Sequence, residues 1–224
     1  MKNEETKRLN IMLDRRQLAQ GAFAGMSAAA LAQVAPVGAS DRATRWAFFR
    51  AQNAGEIPET VDDYVSAALN ESEYAILRAA TGRLIPSDDL GPGAIEAGVS
   101  IYIDRILAGR DAGVLELYQS GLAALDAAAG GFADATEADQ DAALTSLEAG
   151  EVADAPEGFF GLLLEHTRQG MFSDPIHGGN REFIGWDLIN YPGIKLVWTA
   201  EDQALDTVVE PQHISVEQYG GTPV

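Results

Sequence analysis

Ala94-Ile95-Glu96-Ala97-Gly98-Val99-Ser100-Ile101-Tyr102-Ile103-Asp104-Arg105-Ile106-Leu107-Ala108-Gly109 carries the clearest periodic signal in the chain. Val99, Tyr102, Ile103, Ile106 and Leu107 recur at the spacing that lines one side of a helix. The pattern predicts an amphipathic helix over 94–107, stopped by Gly109. The same period continues on both sides. Upstream, Asn70 and Glu73 have the spacing of a capping box, and Ala75, Ile76, Ala79, Ala80, Arg83 and Leu84 follow until Pro86. Downstream, Leu115, Leu117, Tyr118, Leu122 and Leu125 predict a helix over 114–129, broken by Gly130-Gly131. Thr136 caps a further helix holding Ala142, Ala143, Leu144 and Leu147. Pro156 sits near the start of a last long one that runs through Phe159, Phe160, Leu162, Leu163, Leu164 and Thr167 to Gly170. The fold class is therefore all-α, a single compact helical domain. Residues 41–52 predict a short helix, and 60–69 either another or an extended arm. From 171 to 193 the chain is dense in Gly, Pro and aromatics, which predicts an ordered but irregular C-terminal segment. Beyond Lys195 the tail is polar and acidic, without a period.

Residues 1–39 read differently. Lys2, Lys7, Arg8, Arg15 and Arg16 form a charged start, an Ala- and Gly-rich uncharged run follows, and Val37-Gly38-Ala39 supplies small residues before Ser40. That layout is an export signal rather than part of the fold. The pair Arg15-Arg16, followed by a weakly apolar run, resembles the twin-arginine signal. The run is too short and too small in its side chains for a membrane span, which needs about 20 apolar residues. The expectation is a periplasmic protein with a leader over 1–39 and a helical domain over 40–224, with no direct membrane span after cleavage.

Without the leader the chain keeps ten basic and thirty-one acidic residues, a balance of −21. Nucleic acid and anionic lipid both call for Lys and Arg, so neither suits as a partner. A protein with a basic face does. Cysteine is absent. That excludes disulfides, thiolate metal sites, iron–sulfur clusters, thioether-linked haem and a cysteine nucleophile in this chain.

Catalytic groups are few. His166 has Leu162, Leu163, Gln169 and Gly170 at the positions a second helical metal ligand needs, so it reads as a satisfied structural histidine. His177 sits in a Gly-rich loop, where it could face a partner or a ligand, and His213 lies in the polar tail and reads as solvated. Ser173-Asp174 lacks a nucleophile elbow and reads as a turn cap before Pro175. Asp88-Asp89 and the set Asp134, Glu137, Asp139 and Asp141 lack the alternation of a calcium loop. Gly178-Gly179-Asn180-Arg181 follows a helix rather than a strand, so it is no dinucleotide cradle. The expectation is no catalytic, cofactor-binding or metal site.

Two blocks carry a resemblance. One is Thr167-Arg168-Gln169-Gly170-Met171-Phe172-Ser173-Asp174-Pro175-Ile176-His177-Gly178-Gly179-Asn180-Arg181, continuing to Gly185-Trp186 and Tyr191-Pro192-Gly193. The other is Leu84-Ile85-Pro86-Ser87-Asp88-Asp89-Leu90-Gly91-Pro92-Gly93-Ala94-Ile95-Glu96-Ala97-Gly98. Together they resemble the gluconate 2-dehydrogenase subunit 3 family over residues 71–193. His177 stands where that family usually has Tyr.

The resemblance implies a small subunit with no cofactor of its own. Its relatives accompany a large FAD-bearing subunit of the glucose–methanol–choline (GMC) type, with a cytochrome c subunit carrying haem c as electron acceptor. Such complexes oxidise sugars, sugar acids or glycosides in the periplasm. The small subunit is expected to aid maturation of the flavoprotein and its passage through the twin-arginine translocon. An adaptor between flavoprotein and cytochrome is a second reading. A free-standing hydrolase using Ser173, His166 or His177 is a third. Met171, Phe172, Asp174, His177, Asn180, Arg181, Phe183, Trp186 and Tyr191 are the candidates to face the partner; the aromatics among them could equally fill the chain's own core.

Overall fold

A computed structural model describes residues 60–204 and 209–216. The leader with Arg15 and Arg16, the helix expected over 41–52 and the last residues lie outside the described residues. Among the described residues six helices form: α1 (Glu71–Leu84), α2 (Val99–Ala108), α3 (Leu115–Ala129), α4 (Glu137–Glu148), α5 (Phe159–Phe172) and the short α6 (Ile184–Leu188). Single 3-10 turns join several of them. The all-α expectation holds. No helix among the described residues is long and apolar enough to cross a membrane.

Local chemistry sets most of the boundaries. The Asn70 side chain accepts from Glu73 N, and the Glu73 carboxylate accepts from Asn70 N, so the capping box closes at both ends. Thr136 caps α4 in the same way through Asp139 N. Gly130, in the left-handed region, ends α3. In α1 the buried face includes Ile76, Leu77, Ala80 and Leu84, whereas Ala75 points to solvent.

Two boundaries differ from the sequence reading. The central helix starts at Val99, not at residue 94. Residues 94–98 instead form a tight turn that passes through left-handed Gly98, with Val99 N donating to Ala94 O at 3.0 Å. The helix expected to end at Gly170 continues through Phe172.

The central helix also has no wet side. Every residue from Val99 to Leu107 is buried, Asp104 and Arg105 included. It lies between α1 and α5. Residues 64–69 cover its remaining face, so the stretch expected as a short helix or an arm is an arm, entered by a single 3-10 turn at Val61–Asp63. The Asp104 carboxylate holds that arm. It accepts from Tyr64 Oη at 2.7 Å, Ala67 N at 2.6 Å, Ala68 N at 3.1 Å and Leu69 N at 2.9 Å. A buried carboxylate is tolerable only with such a set of donors. Burial and the Asp104 contact both push the Tyr64 phenol well above its usual range.

Around this axis Leu77, Ile103, Leu107, Leu122, Leu125, Phe132, Leu144, Phe159 and Leu163 are fully buried. Each such side chain contributes roughly 1.5–3 kcal/mol by leaving water. Phe159 lies edge-on to Tyr118, with centroids 5.5 Å apart, and fills the space that Gly121 leaves open. Arg83 ties α1 to α4 through Asp141 at 2.8 Å and Glu137 at 2.9 Å.

Candidate functional site

The two sequence blocks quoted above meet in space. Arg181 N donates to Ala97 O at 3.1 Å, and the Arg181 side chain lies against Gly98. Gly178 in turn packs against Arg105 and Ile101 of α2. Residues 94–98 and 178–181 thus form one junction, at the N-terminal end of the central helix.

Asn180 organises this junction. It is completely buried and sits at φ +47°. Its amide oxygen accepts from Gly185 N at 2.8 Å and Trp186 N at 3.3 Å, and its amide nitrogen donates to Ser173 O at 2.8 Å. Glu182 and Phe183 also lie at positive φ, +52° and +63°. Non-glycine residues hold that conformation only when their surroundings over-determine it. The Asn180 bonds supply that determination. Gly179 and Gly185 let the loop press onto the end of α5, where a Cβ would collide with Gly170 O and Met171 O respectively.

Further bonds fasten the segment. Trp186 Nε1 donates to Phe172 O at 2.9 Å. Asp174 caps the turn Pro175–His177 by accepting from Ile176 N, as the sequence suggested, and reaches the tail by accepting from Val216 N at 2.8 Å. Burial raises its carboxyl pKa, and those two N–H groups counter the rise. Tyr191 meets Trp186 edge-on at 4.8 Å. His213 is exposed, as its place in the polar tail suggests, and also engaged: its Nε2 lies 2.6 Å from Asp187 Oδ1, and its ring stacks on Phe183 at 4.9 Å.

These contacts sort the partner-facing candidates. Met171, Phe172, Asn180 and Trp186 are turned into the chain's own core. For Met171 and Phe172 the reason is the extra turn of α5, which carries both onto its buried face. Asp174, His177, Arg181, Phe183 and Tyr191 remain half-buried. Strongly exposed apolar side chains lie elsewhere, at Val65, Leu90, Leu196, Val197 and Trp198. Charged residues around residues 196–198 give the tail its polar composition.

The histidines occupy separate settings. His166 Nδ1 lies 2.9 Å from Tyr118 Oη with the rings stacked, and its Nε2 lies 3.7 Å from Asp111. Asp111 pairs with Arg110 at 2.7 Å, and Tyr102 Oη donates to Gln169 Oε1 beside them at 2.9 Å. Burial lowers the His166 pKa. The structural reading of this residue stands. Its partners, Tyr118 and Asp111, lie 48 or more residues upstream, so no local spacing points to them. His177 is pushed down to about 4, first by burial and then by the charges of Arg110 and Arg105. It is therefore neutral at pH 7. Ser173 Oγ is buried and has no hydrogen-bond partner among the described residues.

The acidic sets have structural duties. Asp88 Oδ1 accepts from Leu90 N within its turn, Asp139 closes the Thr136 cap, and Glu137 and Asp141 hold Arg83. Among the described residues no group of three or more His, Cys, Asp or Glu is placed to hold a metal ion.

No curated protein and no solved structure matches the chain significantly. The family model for gluconate 2-dehydrogenase subunit 3 matches residues 71–193, more than half of the chain. That span contains both motif blocks and the junction they build, and on this ground the chain belongs to the gluconate 2-dehydrogenase subunit 3 family.

Proposed function

We propose that this chain is the non-catalytic small subunit of a periplasmic, FAD-dependent dehydrogenase of the GMC type, acting on sugars, sugar acids or glycosides. In this reading it helps the flavoprotein mature and carries it through the twin-arginine translocon. Electrons then pass to a cytochrome c subunit. The observation that carries the reading is the joining of two features in one chain: a dehydrogenase-subunit domain over 71–193 and the leader pair Arg15-Arg16.

Physical reasoning supports the combination. FAD is acquired in the cytoplasm, so its protein must cross the membrane folded. A chain without cysteine or any evident cofactor requirement gains nothing from folded export on its own account. The route makes sense if a second, flavin-loaded protein travels with it. The junction at Asn180 supports the same reading, because a rigid, over-determined loop offers a preformed surface at little ordering cost.

The test is to express the large flavoprotein with and without this chain and to assay dehydrogenase activity in the periplasm. Activity that depends on the chain is the expected outcome. Equal periplasmic activity in both strains removes the escort role.

A further inference from the structure

Tyr118 of α3 and His166 of α5 share one hydrogen bond, and burial fixes its direction. Tyr118 is fully buried, and among the described residues its hydroxyl meets a single hydrogen-bond partner, His166 Nδ1 at 2.9 Å. Burial keeps the phenol protonated, well above its usual range. A buried O–H needs an acceptor, so the hydroxyl donates and Nδ1 accepts. The neutral imidazole therefore carries its proton on Nε2. That nitrogen faces Asp111 Oδ2 across 3.7 Å, too far for a hydrogen bond. Arg110 already holds the Asp111 carboxylate through Nε at 3.1 Å and Nη2 at 2.7 Å.

A second proton on this ring has one place to go, Nδ1. There it meets the Tyr118 O–H. Either the phenol turns away, which strands a buried O–H without an acceptor, or the two side chains part. The new charge also sits on a buried ring. The groups that act on it are Asp111 and Arg110 of the turn after α2, Tyr118 of α3 and Glu165 of α5 itself. Asp111 and Glu165 favour the imidazolium and Arg110 opposes it. Tyr102 of α2 lies 3.4 Å from Arg110, and His177 feels the same guanidinium. Glu165 is engaged with Gln169 at 3.1 Å. Burial outweighs the two carboxylates. Tyr118 is also where α5 grips α3, with Phe159 edge-on at 5.5 Å and His166 parallel to it within 5°.

We propose that this contact is a proton-operated switch: a proton taken up at His166 Nδ1 parts it from Tyr118 and opens the seam between α3 and α5. The contribution of the neutral ring is complete above about pH 6.5, its unfolded value. It is lost as the pH falls toward the lower folded value. Acid therefore loosens this seam first where Tyr118 and His166 meet. The switch uses no ligand and no second protein, so it stands or falls apart from the accessory-subunit reading. In the location proposed above, it makes the packing of the domain answer to acidity outside the cytoplasm.

The experiment is nuclear magnetic resonance on the full chain, with the histidine rings labelled. At pH 7.5 the imidazole shifts of His166 should place its proton on Nε2; a proton on Nδ1 overturns the proposal. Hydrogen-exchange protection factors over 115–125 and 163–170 should fall between pH 7.5 and 5.5, by at most about tenfold given an open-state value of about 6.5. Those of α1 should hold. A fall under about twofold, or an equal fall in α1, contradicts a local switch. His166→Gln should abolish the fall, and a fall that persists assigns it to another group. Tyr118→Phe gives the second, milder variant. It removes the donor that favours the neutral ring, so the His166 titration midpoint should rise. A midpoint that stays or drops shows that the hydroxyl does not set the switch and overturns it.

Discussion

Within α1–α5 the completely buried side chains are Leu77, Ile103, Leu122, Leu163 and others of their kind, sealed by one another. After Phe172 the completely buried side chain is an amide, Asn180. One region is an apolar core in which any member has many neighbours. The other is a strained backbone fastened at a few polar points. The first should fail as a unit and the second locally, because a hydrogen-bonded pin has no redundancy. Asp104 is the charged side chain among those completely buried in the body, a polar pin at its centre.

That pin offers the largest expected effect. Asp104→Ala leaves three backbone N–H groups of the arm without their acceptor and should cost about 4 kcal/mol in urea unfolding. A loss under about 1 kcal/mol would mean that the arm is not part of the cooperative unit. Leu77→Ala should cost about 3 kcal/mol as a single, probe-independent transition. Asn180→Ala should cost about 2 kcal/mol, visible as faster hydrogen exchange over 173–190 while α1–α4 keep their protection. Uniform loss of protection would merge the two regions into one.

His177 sharpens the contrast through pH. Its folded pKa of about 4 lies below the unfolded value of about 6.5. Its contribution is complete above pH 6.5 and is lost as the pH falls toward 4. The loss should reach about 2 kcal/mol near pH 4.5. His166, also lowered by burial, adds in the same direction. His177→Tyr, which removes the imidazole, should show a shallower acid slope in pH-dependent melting. An unchanged slope would locate the acid sensitivity elsewhere. The smallest effect belongs to His213→Ala. Its pair with Asp187 is about half exposed, so the change should be near 0.5 kcal/mol and vanish in high salt.

The sequence showed the body far better than the junction, and distance along the chain is the reason. The Asn70–Glu73 box, the Thr136 cap and the Gly130 stop act over a few residues, and each was legible. Asp104 and Arg105 looked like the wet side of an amphipathic helix, because the arm that covers them lies more than thirty residues upstream. The end of α5 was misplaced because the Gly170 signal is overridden by burial of Met171 and Phe172. The His213–Asp187 pair spans 26 residues and has no local signature. Motif likeness marked residues 94–98 and 178–181 separately, and only folding shows that they touch. The exposed run at 196–198 was hidden by the acidic residues around it.

The proposed role requires the leader pair Arg15-Arg16 to serve a second protein. Arg15→Lys combined with Arg16→Lys, in cells that also make the large flavoprotein, tests it most directly. Both chains are then expected to stay in the cytoplasm as an FAD-loaded complex, with periplasmic dehydrogenase activity lost. Flavoprotein that reaches the periplasm active while this chain stays behind would contradict it.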